Sequence, residues 1–296
     1  MFTGINAGVF YALARVFSTS SESVFNKKLI SKLNPFTINL FVMLFVGVCV
    51  APLLFLLNIP ALNKTFWIAL FITIILNLIA NILFIKSYLS DLSIISPISA
   101  FKPAFTLIAA IFILKEIPSV LGIFGILLIV FGSYFIMYSK QDGLSLKPLK
   151  RLLSDKGVQL NFLAMLTIPF SSSFDKMAIN ISGPLIFTPF FILLSIPFSL
   201  LAIHLFVPKK IIKRDSLVLF KSKKEYLFLG LSSVGAYLFT ALAFSKMFVA
   251  YASALFQLAV VIEIFFGYYI FKEKGILQRL VAGTIMILGV IFILLA

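Results

Sequence analysis

Apolar runs of about twenty residues recur along this whole 296-residue chain, with short polar connections between them. A helix needs about 20 such residues to cross the ~30 Å hydrocarbon layer of a membrane. Hydrophobic residues make up 61% of the chain and charged residues 12%. A soluble domain is about a quarter charged. The pattern therefore predicts an all-α, polytopic membrane protein without a separate soluble domain.

Ten spans fit the apolar pattern, and their connections are short except at 139–157 and 207–225. The predicted spans are 4–24, 36–57, 66–86, 92–114, 117–138, 158–178, 184–206, 226–246, 249–271 and 275–295. We expect a first five-helix repeat at 1–138, a cytoplasmic linker at 139–157 and a second repeat at 158–296. The basic and apolar 207–225 connection either lies on the anionic inner leaflet or simply anchors the chain on that side.

Short motifs recur in the two halves at fixed offsets, which indicates duplication. The offset is 157 for Lys115, Glu116 and Gly132 with Lys272, Glu273 and Gly289, and 149 for Phe25, Lys27 and Pro35 with Phe174, Lys176 and Pro184. The change of offset requires a net gain of eight residues in the second half. The long 207–225 connection is the natural place for that gain.

The predicted repeats are inverted, because an odd number of spans in each places the two halves antiparallel. Nineteen Lys and Arg residues fall in connections on one side of the membrane and four on the other. Cytoplasmic loops collect the basic excess. We therefore expect a multi-pass protein of the cell (inner) membrane with both termini outside. The same distribution explains the net charge of +15 without nucleic acid.

Each inverted repeat closes with an apolar span, a Lys-Glu pair and a glycine-spaced span. This arrangement resembles the drug/metabolite transporter superfamily, most closely its EamA-type branch. The resemblance is carried by Lys27, Pro35, Pro103, Glu116, Gly125 and Gly132 in the first half and Lys176, Pro184, Glu273 and Gly289 in the second. The second half departs from the pattern at two positions, with Val260 where the first half has Pro103 and Ala282 where it has Gly125. The aromatic-glycine pair often seen in the family's first span is absent. The resemblance covers essentially the whole chain and implies secondary transport of a small metabolite or drug.

Three charged residues fall clearly in the middle part of predicted spans: Arg15, Lys102 and Glu263. A charge at mid-membrane costs about 2.5–3.5 kcal/mol on insertion scales, so such residues face a cavity or a partner. At the 157 offset Glu263 matches Thr106, one helical turn after Lys102, so the two charges approach the repeat axis from opposite halves. We expect Lys102 to bind an anionic group and Glu263 a cationic group or a coupling proton. Arg15 is a further candidate anion contact. The alternative is a Lys102–Glu263 ion pair that only neutralises itself.

Polar and aromatic residues near these charges are further candidates for substrate binding. Asn77 and Asn81 are four residues apart in the third span, and Tyr237 lies on a polar face of the eighth. Such side chains line cavities or join helices by hydrogen bonds, and both interpretations stay open. Phe101 and Phe256 are the phenylalanines nearest the proposed site.

Two other acids and the glycines have simpler explanations. Glu22 shares a helical face with Arg15, and it either links to Arg15 or reaches the interface. Asp175 lies near the predicted end of the sixth span, so we expect it at the membrane interface. The glycines of the fifth and tenth spans favour close helix packing, within the chain or across a homodimer.

Together these features predict a secondary active transporter that moves a small amphipathic solute, such as an amino acid, by alternating access. Export is the expected direction, and proton coupling stays open. A multidrug or nucleotide-sugar transporter is the alternative within this class. An intramembrane enzyme on lipid-linked substrates would need clustered acids or histidines at one face, but the chain has only one histidine, His204.

The sequence predicts no cofactor, no metal site and no catalytic residues. It lacks the GxxxxGK[ST] motif that holds ATP, and it has no group of metal ligands at the usual spacing. The expected partners are a small-molecule substrate and the lipid bilayer, and the chain is expected to be a monomer or a homodimer. Nucleic acid is not expected to bind.

Overall fold

The computed structural model describes residues 2–30, 32–87, 100–137, 155–263, 265 and 276–296. These residues form helices and connections without strands, which confirms the predicted all-α fold class. The helices are α1 (Phe2–Ile30), α2 (Pro35–Val50), α3 (Leu53–Leu56), α4 (Lys64–Ser87), α5 (Lys102–Leu114), α6 (Val120–Met137), α7 (Lys156–Ser182), α8 (Pro184–Phe206), α9 (Lys209–Lys221), α10 (Lys223–Lys246), α11 (Val249–Phe256) and α12 (Ile276–Leu294). Three features predicted from the sequence lie outside the described residues: the start of the fourth span at 92–99, the linker residues 139–154 and the pair Lys272-Glu273.

The helices have the length and composition of membrane spans. Within the described ranges, the stretches long and apolar enough to cross a membrane are Pro35–Leu56, Lys64–Ser87, Pro184–Phe206 and Lys223–Lys246. Shorter apolar helices cover Lys102–Leu114, Val120–Phe135, Val249–Glu263 and Val281–Leu294. The helices α1 and α7 have 29 and 27 residues and carry more polar side chains. Together these elements account for the ten predicted spans.

Each repeat starts its second helix in the same way, with a proline at the first helical position. Pro35 begins α2, and the side chain of Asn34 caps this helix by accepting the Phe36 N–H at 3.0 Å. Pro184 begins α8 after Gly183, whose φ of +79° lies in a region that side chains disfavour. Proline suits this position because its missing N–H would have no partner there.

Helix packing follows the symmetry of two repeats. The first helix of each repeat packs along the third helix of the other, so α1 lies against α10 and α7 against α4. The fourth helix of each repeat also contacts the first helix of the other, as α5 does with α7 and α11 with α1. The remaining pairs, α2 with α8 and α6 with α12, join equivalent helices. This exchange of partners is what an internal two-fold axis produces.

The glycine spacing of the fifth and tenth spans is explained by contact between α6 and α12. A methyl group built at Gly125 would lie 2.7 Å from the carbonyl oxygen of Gly289, and one at Gly132 would lie 2.9 Å from that of Ala282. Gly125 and Ala282 are repeat equivalents, as are Gly132 and Gly289, so the two contacts are images of one another. The glycines therefore serve close packing inside one chain, the first of the two predicted uses.

The 207–225 connection, predicted as a loop, contains the helix α9. Asp215 on α9 is fully buried and accepts the backbone N–H of Asn34 at 2.9 Å, and Arg214 donates to its other carboxylate oxygen at 2.7 Å. Leu219 packs inward, whereas the basic residues of the helix stay exposed. The periodicity of α9 is amphipathic rather than apolar, which is why a search for membrane spans passes over it.

Candidate functional site

A cavity of about 270 Å³ lies at the centre of the bundle, between helices of both repeats. We call it the central cavity. Its lining includes five of the predicted residues, namely Arg15, Asn77, Lys102, Tyr237 and Phe256. Its volume is slightly below the range of about 300–1,000 Å³ typical of small-molecule pockets.

Arg15 projects from α1 into the central cavity and rests on an aromatic ring. Its guanidinium carbon lies 4.0 Å from the centre of the Phe256 ring, a cation–π contact. Its Nε atom is buried and has no hydrogen-bond partner. Within the described residues Arg15 forms no direct ion pair, but it is attracted by the charges of Glu22 and Glu263. The predicted link to Glu22 is therefore electrostatic rather than a contact, and Glu22 accepts a bond from Ser233 at 2.9 Å.

Lys102 is the first residue of α5, directly after a turn at residues 100–101. The second repeat has a turn at residues 257–258, between α11 and the helical residues 259–263. The two turns differ by the repeat offset of 157, so each repeat has a turn at the equivalent position. Tight i−3 bonds mark the second break, including Leu258 N–H to Leu255 O at 3.0 Å. Breaks of this kind within spans are typical of substrate sites in transporters with inverted repeats.

Asp175 also lines the central cavity, although the sequence interpretation placed it at the membrane interface. The expectation was wrong because α7 continues to Ser182, so Asp175 lies almost two turns inside the helix. Its carboxylate accepts the Thr73 hydroxyl at 2.5 Å. Thr73 and Asn77, four residues apart on α4, form one hydrogen-bonded group with Ser171 of α7. The spacing of Thr73 and Asn77 was a usable signal, but their partner on α7 required the fold.

Two further cavities extend the central one along the bundle. The second, of about 270 Å³, shares Asn77 and Tyr237 with the central cavity and adds Asn81. The third, of about 310 Å³, shares Asn81 and Tyr237 with the second and reaches Ile30 at the end of α1. Tyr237 lines all three, and its hydroxyl is 4.0 Å from the sulfur of Met43. Asn77, Asn81 and Tyr237 thus line a row of neighbouring cavities, which we call the path of cavities.

Two of the predicted residues line none of these three cavities. Glu263 follows the break at 257–258 and accepts the Ser23 hydroxyl at 2.6 Å. No ion pair joins it to Lys102 in the part of the chain that the structure describes. Phe101 is 43% exposed, and its ring centre lies 5.8 Å from that of Tyr134.

The Lys-Glu motif of the first repeat ends α5 and ties the two repeats together. Lys115 takes a left-handed conformation with φ of 56°, which ends α5 and directs Glu116 away from it. Glu116 accepts the Val249 N–H at the start of α11 at 2.9 Å, and its other oxygen lies 3.8 Å from the Lys176 ammonium group. Burial raises the pKa of Glu116, while the Val249 bond and the charge of Lys176 lower it.

Lys176 completes this contact by donating to the carbonyl oxygens of Phe244 and, at 3.1 Å, Met247, where α10 ends. We call Glu116, Lys176 and these backbone groups the latch. The latch therefore holds the C-terminal end of α10. The third cavity contacts Leu229 near the opposite end of α10. The path of cavities and the latch thus lie toward opposite faces of the bundle.

Comparison with known proteins agrees with this architecture. A solved structure titled only "Crystal structure of protein" superimposes with a TM-score of 0.75 at 11% identity, covering 97% of this chain and 96% of that one. This similarity establishes the fold alone. No curated protein was found to match. The model of the EamA-like transporter family matches residues 6–138 and 155–295, one match for each half of the chain. The chain therefore belongs to the EamA-like transporter family, as its repeated motifs predicted.

Proposed function

We propose that this membrane transporter moves a small amphipathic solute, such as an amino acid, by alternating access between its two repeats. The first repeat is 1–138 and the second 158–296, joined by the linker 139–157. The observation that carries the proposal is the placement of Arg15 and Lys102. Both cations line a cavity enclosed by helices of both repeats, and neither forms an ion pair with another described residue.

The energetics favour a bound anion as the partner of these two cations. Burying a charge without a partner is costly, and in membrane interiors such charges mark substrate or ion pathways. An anionic group of the solute supplies a direct ionic contact for Arg15 and Lys102. The ring of Phe256 beneath Arg15, with Phe187 and Phe191 nearby in the lining, suits an apolar side chain.

The path of cavities supports an assignment of the conformational state. The path leads toward the end of α1, which the distribution of basic residues places on the cytoplasmic side. The latch lies on the other side. We propose that this conformation faces the cytoplasm of a cell with the protein in its inner membrane, both termini outside, and that the latch closes the outer face. Solute loading from inside is the arrangement needed for export.

The alternative substrates and an enzymatic function fit the lining of the central cavity less well. A nucleotide sugar carries a diphosphate and calls for more cationic side chains than Arg15 and Lys102. A multidrug carrier needs fewer fixed charges in its pocket than this one holds. Transport rather than catalysis also suits the lining, in which acids and histidines do not cluster at one membrane face within the described residues.

Flux through the purified protein tests the proposal. We expect proteoliposomes carrying the protein to take up or release at least one of the twenty standard amino acids, found first by a thermal-shift screen. Empty liposomes are the control. Repeating the assay with and without a pH gradient determines whether protons are coupled. The absence of flux for every compound that stabilises the purified protein would contradict the proposal.

A further inference from the structure

The hydrogen bonds around Asp175 join α4 to α7. The Asn77 amide nitrogen donates to the Ser171 hydroxyl at 2.5 Å, because an amide nitrogen has no acceptor capacity. The Ser171 hydroxyl lies 2.6 Å from that of Thr73, and the Thr73 hydroxyl lies 2.5 Å from the Asp175 carboxylate. Each hydroxyl has one hydrogen. When Asp175 is ionised, Thr73 gives its hydrogen to the carboxylate and Ser171 gives its own to Thr73.

In this direction the chain of donors ends on the Asp175 carboxylate. The arrangement accommodates an ionised Asp175, because the Thr73 hydroxyl can donate to the carboxylate. Lys176, the next residue, cannot neutralise the charge, since its ammonium group is held in the latch by Glu116 and by the end of α10. No cationic side chain of the described residues forms an ion pair with Asp175.

The central cavity therefore contains two cations and one anion that are not paired with each other. Arg15 comes from α1 and Lys102 from the start of α5, whereas Asp175 comes from α7 and is held from α4 by Thr73. A ligand that carries an ammonium group and a carboxylate close together would give each of these groups a partner of opposite charge. A ligand with an anionic group alone would leave the Asp175 carboxylate buried and unmatched, which is costly.

We propose that Asp175 binds the ammonium group of the transported solute and makes the central cavity selective for zwitterions. This proposal rests on the transport function proposed above and assigns to Asp175 the cation-binding role that the sequence suggested for Glu263. The solute carboxylate binds Arg15 and Lys102. The Thr73, Ser171 and Asn77 group positions the Asp175 carboxylate, and the ammonium group of the solute stabilises its ionised form.

A matched set of ligands tests the assignment in detergent-purified protein. Each neutral amino acid is compared with its deaminated acid and its decarboxylated amine, for example L-phenylalanine with 3-phenylpropanoate and phenethylamine. We expect at least one amino acid to bind the wild-type protein tens of times more tightly than its deaminated acid, because charged hydrogen bonds have that strength. Asp175→Asn should remove this preference and leave the affinity for the deaminated acid unchanged.

Further variants separate a binding role from a structural one. Asp175→Glu keeps the charge and should keep part of the preference, and Thr73→Val should reduce it severalfold. Glu225→Gln, in the first turn of α10, is the control carboxylate and should behave as wild type. If Asp175→Asn does not fold, the wild-type ratio and Thr73→Val still decide the question.

Equal wild-type binding of an amino acid and its deaminated acid would overturn the inference, as would binding of no amino acid at all. A preference for the amino acid that survives in Asp175→Asn would also overturn the inference, even if this variant loses the pH dependence of flux. Flux of a non-zwitterionic solute would leave the transport proposal standing in each case. A protein that moves no solute would end both proposals.

Discussion

Replacing Arg15 and Lys102 together by methionine is expected to abolish solute binding while making the protein more stable. Both side chains line the central cavity, and neither forms an ion pair within the described residues. Affinity for the best-bound amino acid should fall by about 100-fold or more, because truncating one partner of a buried charge pair costs about 2–5 kcal/mol. The free energy of unfolding should rise by about 1 kcal/mol, since removing strained functional groups commonly stabilises proteins.

The opposite signs of these two effects make the experiment decisive. Titration of the ligand and thermal unfolding in detergent measure them on one sample. Lys213→Met, on the exposed face of α9, is the matched control and should change neither quantity. If the double variant loses stability together with binding, the two cations hold the fold and do not form a solute site.

Replacing Lys176 by methionine is expected to open the face of the bundle that the latch closes. The change leaves Glu116 without its counter-charge, and it removes the donor from the carbonyl oxygens of Phe244 and Met247. Breaking a buried ion pair from one side costs about 3–5 kcal/mol. The substitution destabilises the latched conformation by this amount, so the population should shift toward the conformation that is open on the latch side.

Labelling of a single cysteine measures this shift. Thr188 lines the central cavity near the start of α8, on the latch side, so Thr188→Cys in a Cys49→Ser background should react severalfold faster from the outer face once Lys176 is replaced. Glu116→Gln should reverse part of the effect by removing the unpaired charge. Lys64→Met, an exposed lysine at the start of α4, is the control. Unchanged labelling in the Lys176 variant would show that the latch does not gate the cavity.

The spans and repeats were largely predictable because membrane helices follow rules local in sequence. The start of α8 at Pro184 coincides with the predicted start of its span, since proline and the preceding glycine determine it. The contact of Gly125 with Gly289 follows from the repeat once the two halves are known to be inverted. The helix α9 was missed because its apolar residues occupy one face only.

The candidate site was less predictable because side-chain direction depends on breaks that local periodicity does not reveal. Glu263 was aligned with Thr106 on the assumption of a straight helix, but the tight turn at 257–258 changes the direction of the residues that follow, and its carboxylate meets Ser23. Asp175 was misjudged through an error of four residues in the predicted end of its span. The latch joins Glu116 to Lys176, 60 residues apart, and only the packing of the two repeats brings them together.

Access of water-soluble reagents to the central cavity tests the account most directly. Ser172→Cys, on the cavity lining, is compared with Val48→Cys, which is 76% exposed on the outer surface of α2, both in the Cys49→Ser background. An impermeant thiol reagent is applied separately to each face of membrane vesicles. The account predicts that Ser172→Cys reacts from the cytoplasmic face and is protected by the transported amino acid, whereas Val48→Cys, facing lipid, does not react. Failure of Ser172→Cys to react from either face would contradict it.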